Sequence, residues 1–362
     1  MEKGLSGLAN LGNTCFINSC MQVLSHCQEL NDVLDNVSYK KRLNATKFET
    51  VLLLEWDDLR KLLWSQNCIV APHKFIRTIR QLATLKKNEL LTGTAQNDVH
   101  EFLIFLLDSF HEALKREVSM TITGDIGSET DKLAVKCYEM TRESFTKAYS
   151  EIWRMFYGIQ VSQIVSSSSS SSKEEDRGIL RSKPEAFSVI DLSIPVLHSK
   201  TVTLHDCFTH YISGERLEGD NAWFNDETGQ AETLVEKKLS FWSLPQILIV
   251  DLKRFNAKNQ KNQTFVLFPI DGLDLAEFVI GYKPETYVYD LFGICNHSGT
   301  VHGGHYTAYV KTKENNWFHF NDTSVTRIID KDNIVSNSAY CFFYRKRTSS
   351  SVPAHDATAG AV

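Results

Sequence analysis

The hydrophobic period changes once along this chain, and that change limits the fold more than any other feature. Up to about residue 155 the apolar residues recur every three or four positions. "CFINSCMQVLSHC" (15–27) spaces Phe16, Cys20, Leu24 and Cys27 in this way, and "FETVLLLEWDDLRKLLW", "HKFIRTIRQL" and "NDVHEFLIFLLDSFHEAL" repeat the pattern. Such spacing lays one apolar stripe along a helix. From about residue 186 the segments become short, β-branched and aromatic, bounded by Gly, Pro, Asn and Asp. "FSVIDLSIPV", "LPQILIVDLKRF", "YVYDLFGICNHSG", "HYTAYVKT", "NWFHFND" and "AYCFFYRK" predict antiparallel strands. Helices first and sheet later is the α+β class.

Between the two halves lies "VSSSSSSSKEEDRG" (165–178), a serine run with a charged end that cannot bury enough surface to order itself. It reads as a flexible loop inside the fold, because the strands on either side still need each other. The tail "TSSSVPAHDATAGAV" lacks periodicity and is expected to be disordered. With 362 residues and 42% hydrophobic content, the rest can bury one large core or two modest ones. A net charge of -5, with Lys and Arg scattered among acids, argues against nucleic acid or a membrane surface as partner. No apolar stretch approaches the roughly 20 residues of a bilayer span, and the charged start "MEKGLSG" is not followed by a signal-peptide core. Eight dispersed cysteines fit free, mostly buried thiols in a reducing compartment, cytoplasmic or nuclear. No CxxC pair occurs, so a zinc ribbon or finger has no ligand framework.

One cysteine departs from the pattern of a small core hydrophobe. Cys15 follows "NLGNT", and Asn13 or Thr14 would cap a helix that begins there. The thiol then sits among unpaired backbone N–H groups at the positive end of the helix dipole, which favours a thiolate. Asn10, five residues earlier, can aim an amide N–H at an oxyanion forming on an attacked carbonyl. A nucleophilic thiol needs a base, and His305 stands directly after Gly303 and Gly304 at the start of an alternating strand. Across a predicted hairpin, "NWFHFND" ends in Asn321 and Asp322. Either could accept from the imidazole and fix its tautomer, completing Cys/His/Asn or Cys/His/Asp.

With those residues in place, four blocks in order resemble the ubiquitin-specific protease family. "GLANLGNTCFINSCMQVL" resembles its Cys box and "YDLFGICNHSGTVHGGHYTAYVKTKENNWFHFNDTSV" its His box. "QNDVHEFLIFLLD" and "LPQILIVDLKRF" resemble two further blocks. The resemblance runs from about Gly4 to Arg347. It implies a papain-like cysteine protease fold with a helical thumb (about 1–155), β fingers (about 156–247) and a β-rich palm (about 248–348), followed by a disordered tail (349–362). It also implies a monomer that hydrolyses the isopeptide or peptide bond after the C-terminal glycine of ubiquitin, acting on ubiquitinated proteins. Carried over, Cys15 is the nucleophile, His305 the general base, Asn321 the residue that orients it, Asn10 the oxyanion donor and Asp322 a helper. Asp98 matches a position that holds the extended ubiquitin tail.

The residues themselves add detail to that picture. Gly303 and Gly304 suggest a narrow channel suited to a substrate ending in glycine, and Asp98 and Glu101 could pair with basic residues of its tail. Many relatives carry two CxxC pairs at the fingertips. Neither region here has a cysteine, so no metal or other cofactor is expected, and the fingers would hold through strand pairing and packing of residues such as Trp223 and Phe224. A catalytically dead ubiquitin-binding module would usually show a lost Cys or His, and neither is lost. A different thiol acyl transferase, or a protease for another ubiquitin-like modifier, stays open.

Overall fold

The structure, a computed structural model, describes residues 2–348 except 94, 167–177, 198–200, 226–228, 233–234, 257, 259 and 301–302. The serine run from 167 onward and the tail from 349 onward lie outside the described residues. The first half is helical: α1 (Cys15–Ser25), α2 (Gln28–Asp35), α3 (Phe48–Ser65), α4 (His73–Leu85), α5 (Val99–Leu114), α6 (Glu129–Ala148) and α7 (Glu151–Phe156). One further helix, α8 (Leu204–Ile212), lies among the strands and opens with a Thr203/Asp206 capping box. Every residue of α1 is buried. A helix covered on all sides belongs at the centre of a fold, and α1 runs between α5 and the large sheet. Its approach to the sheet is close enough to need a glycine: a Cβ on Gly293 would lie 2.2 Å from Val23 Cγ1.

Among the described residues the large sheet has eight strands. Seven run in the order Ser324–Ile328, Trp317–Asn321, Gly303–Lys311, Val288–Thr300, Ala339–Lys346, Ile247–Leu252 and Val189–Leu192, and Leu273–Asp274 pairs with Val288–Thr300. Its two faces serve two cores. Ile247, Ile249, Cys295, Tyr306, Ala308, Phe320 and Phe343 pack toward the helices, whereas Leu248, Val250, Ile294, Phe342 and Tyr344 pack on the other side with Phe208 of α8. Burial on both faces explains why "ILIV" is an unbroken apolar run rather than an alternating one.

A second, four-stranded sheet (Ile179–Phe187, Gly158–Ser166, Val235–Ser243, Glu215–Leu217) falls inside the range read as fingers. Three expectations are corrected. Val189–Leu192 lies in that same range but joins the large sheet, and it runs parallel to Ile247–Leu252, not antiparallel. An apolar run carries no sign of the direction of its neighbour. Trp223 and Phe224 do not form a fingertip core: they pair with Glu232 and Ala231 in a two-stranded ribbon, and Phe224 is 56% exposed.

Candidate active site

Cys15 is the first residue of α1, as the sequence predicts, but the helix start is built differently. Gly12 and Asn13 both have positive φ (87° and 54°), which turns the chain sharply into the helix. Thr14 occupies the cap position without capping. Its hydroxyl accepts from the Leu11 N–H (2.9 Å), and its own N–H donates to Asn10 Oδ1 (3.1 Å). The loop therefore closes on itself and holds Asn10 beside the helix start.

The expected lowering of the thiol pKa is also corrected. Burial pushes the Cys15 thiol up, and the negative charge of Asp322 adds to that. The backbone N–H groups of Tyr306, Phe16 and Cys15 itself pull it down without prevailing. The helix-start effect is present, but a sulfur on a residue only 1% exposed loses more to desolvation than it gains. The Tyr306 contact also places the Cys15 thiol close to the His305 strand, because Tyr306 is the neighbour of His305.

His305 lies in the Gly303–Lys311 strand, hairpin partner of Trp317–Asn321 with Ala308 opposite Phe320. One step further along this register Asn321 falls opposite Thr307, on the same face as His305. Their side chains meet: His305 Nε2 lies 2.7 Å from Asn321 Oδ1. An amide oxygen can only accept, so Nε2 carries the proton and in the neutral ring Nδ1 keeps a lone pair. That leaves one ring nitrogen free to take a proton from a thiol.

Asp322 ends the strand. With φ of 48° it begins the two-residue turn that leads to Ser324. This is the bend that lets both Asn321 and Asp322 face the site, yet they do different things. Asp322 Oδ2 is 4.0 Å from His305 Nε2 and accepts at 3.0 Å from Asn10 Nδ2. Asp322 Oδ1 accepts at 2.8 Å from Asn18 Nδ2, and its backbone carbonyl accepts from the Leu8 N–H. The carboxylate thus ties the Cys15 loop and helix to the histidine hairpin. Asn18 is 2% exposed and was missed from sequence. The available signal was an amide three residues after Cys15, on the same side of a helix that begins with the thiol.

Gln96, just before α5, was missed as well. Its amide grips the backbone of Gly304 at both ends, accepting from the N–H (2.8 Å) and donating to the carbonyl. A Cβ on Gly304 would lie 2.2 Å from His297 Nε2 and 2.7 Å from the Ser298 carbonyl oxygen, so the glycine is needed within the sheet; a Cβ on Gly303 would enter open space. Asp98, expected to pair with a basic tail, already serves the protein: Oδ1 caps α5 through the His100 N–H, and Oδ2 accepts from the Tyr340 hydroxyl. Glu101 is exposed in the first turn of α5.

The sequence model of the family described as ubiquitin carboxyl-terminal hydrolase matches residues 6–344. The chain belongs to this family. Ubiquitin carboxyl-terminal hydrolase 2 of rat is 34% identical over 94% of the chain and 54% of the relative, and the chicken protein of the same name is 35% identical over 96% and 95%. Ubiquitin carboxyl-terminal hydrolase 4 of Saccharomyces cerevisiae is 29% identical over 94% of the chain and 39% of the relative. The chain thus spans about half the length of the rat relative. Among solved structures, the SAGA Ubp8/Sgf11/Sus1/Sgf73 module bound to ubiquitin aldehyde aligns with a TM-score of 0.70 at 23% identity, covering 96% of this chain and 70% of that one. The fold is therefore the papain-like one expected.

Proposed function

We propose that this ubiquitin carboxyl-terminal hydrolase is a thiol deubiquitinase that cleaves the isopeptide or peptide bond after the C-terminal glycine of ubiquitin. The observation that carries the reading is the convergence of Cys15, beside the Tyr306 N–H, with His305 bonded to Asn321. The ubiquitin aldehyde bound to the Ubp8 module supports the same substrate class. Family membership favours it over an unrelated acyl transferase.

In this reading His305 Nδ1 takes the Cys15 proton, which overcomes the burial that keeps the thiol neutral at rest. The thiolate attacks the terminal glycine carbonyl. Asn10 has a second amide hydrogen besides the one given to Asp322, and it meets the oxyanion. The imidazolium protonates the departing lysine amine, leaving a Cys15 thioester. Water, deprotonated by the same ring, then releases free ubiquitin and the thiol. Asn321 holds the ring in the tautomer this sequence needs. Seven buried thiols, none in a disulfide, support a cytoplasmic or nuclear setting.

The test is hydrolysis of a ubiquitin C-terminal fluorogenic amide beside the same probe on a related modifier, with Cys15→Ser as control. Turnover of the ubiquitin probe, loss of turnover in Cys15→Ser and retained ubiquitin binding are expected. Preference for the other modifier, or near wild-type turnover in Cys15→Ser, refutes the reading.

A further inference from the structure

Beneath the first turn of α5, three side chains from three separate elements converge. His100 comes from α5, Asp251 from the Ile247–Leu252 strand, and Asp191 from Val189–Leu192, directly opposite Asp251 in the parallel register. One ligating atom from each lies within 4.8 Å of the others, and His100 Nδ1 is 4.0 Å from Asp251 Oδ2. Three atoms of these side chains, His100 Nδ1, Asp191 Oδ1 and Asp251 Oδ1, are shielded from solvent and have no hydrogen-bond partner. Asp251 is 3% exposed and interrupts a strand whose other residues are all apolar. Native interiors rarely leave so many polar atoms unsatisfied in one place, and such a group calls for an explanation.

We propose that His100, Asp191 and Asp251 form a binding site for a divalent cation of the zinc class. One imidazole nitrogen and two carboxylate oxygens suit a borderline ion, whereas magnesium and calcium favour sites built from oxygen alone. Three protein donors leave a further position for water. Ligand bonds of about 2.0–2.2 Å would require the donors to close by about an ångström. His100 and Asp191 are only half-buried and can make that movement. The Lys253 ammonium sits 3.3 Å from Asp191 Oδ2 and leaves the buried Oδ1 unpartnered.

A cation would supply partners to all three orphaned atoms. Positions 100, 191 and 251 have no motif spacing, so an expectation of no metal, founded on missing CxxC pairs, does not reach this cluster. An ion here would brace the start of α5, with Asp98 and the Gln96 loop before it, against the palm sheet.

Zinc affinity can be measured on the full chain by competition with a chromophoric chelator, using Cys15→Ala with Cys68→Ser to remove the nucleophile and the exposed thiol. The expected result is one equivalent of Zn²⁺ with a rise in thermal midpoint. Both effects should be lost in Asp251→Asn and weakened in His100→Gln by more than the roughly 10–100-fold that a supporting residue costs. His100→Gln lies at the helix edge and keeps the test open if the buried variant misfolds. Absence of stoichiometric binding, affinity unchanged in His100→Gln, or displacement of Zn²⁺ by millimolar Mg²⁺ overturns the proposal.

Discussion

Replacing Asp322 by alanine asks whether its carboxylate acts through the imidazole or through Asn10. The distances favour Asn10, which donates to it at 3.0 Å, whereas His305 is 4.0 Å away and already bonded to Asn321 at 2.7 Å. Asp322→Ala frees Asn10 Nδ2 and leaves it anchored only through Oδ1. If its amide swings away, the oxyanion loses a donor, a loss of about 10²–10³ in kcat, or roughly 2.7–4 kcal/mol, with KM little changed. The buried Asn18 amide loses its shortest acceptor in the same stroke and keeps only the Leu8 and Ala9 carbonyls at 3.4 Å, which costs about 1 kcal/mol of stability. The assay is steady-state hydrolysis of the fluorogenic ubiquitin amide for Asn10→Ala, Asp322→Ala, Asn321→Ala and the two doubles that contain Asp322→Ala, with urea unfolding alongside. Asn10→Ala/Asp322→Ala should be hardly slower than either single change, while Asn321→Ala/Asp322→Ala should be close to additive. The reverse pattern refutes the reasoning and places the carboxylate on the imidazole. In Asp322→Asn the charge that raises the Cys15 thiol pKa is gone, so iodoacetamide alkylation should inflect at lower pH than in the parent.

Gly304→Ala should distort the strand that carries His305, because its Cβ meets His297 and the Ser298 carbonyl, and kcat should fall with stability. Gly303→Ala should match the parent in the same assays, since its Cβ meets open space. Stability should fall as pH drops from 6.5 toward 4. Burial lowers His26 to about 4, and burial with the charges of Lys261 and His305 does the same for His297. The unfolded chain takes up these protons near pH 6.5 and the native state only near 4. Each histidine therefore contributes about 3 kcal/mol that is intact above pH 6.5 and lost through that window. Urea midpoints measured between pH 7 and pH 4 check this, and a flat profile that stays flat in His297→Asn contradicts it.

What could be read from the sequence followed the range of the forces involved. The stripes of α1, α3, α4 and α5 and the alternation around His305 are local, so the amino-acid order carries them directly. The meeting of His305 with the end of the Trp317–Asn321 strand could be read because hairpin signals are local too, but the residues left Asn321 and Asp322 both open as its partner, and Asn321 came from the family resemblance. The direction of the thiol shift could not: the helix-start effect belongs to residues 13–16, but the burial that outweighs it comes from the sheet packed on α1. Asn18 was hidden for a similar reason, since on a buried helix an amide is indistinguishable from core until its partner, 304 residues away, is placed. Gly304 pointed to a close approach, and the structure adds one the sequence could not name, to the protein's own His297.

The link from Leu8, Asn10 and Asn18 to Asp322 has a consequence in time. The nucleophile and its base are separated by 290 residues (305 − 15), and Ala339–Lys346, the strand between Val288–Thr300 and Ile247–Leu252, is made later still. At about 5–20 residues per second, the ribosome releases Cys15 roughly 15–60 s before His305. Throughout that interval α1, buried on every side in the finished fold, has no sheet to cover it, and its thiol has neither His305 nor Asp322 beside it. The growing chain is thus silent as a hydrolase and exposed as a folding intermediate, and both conditions end together when the last central strand inserts.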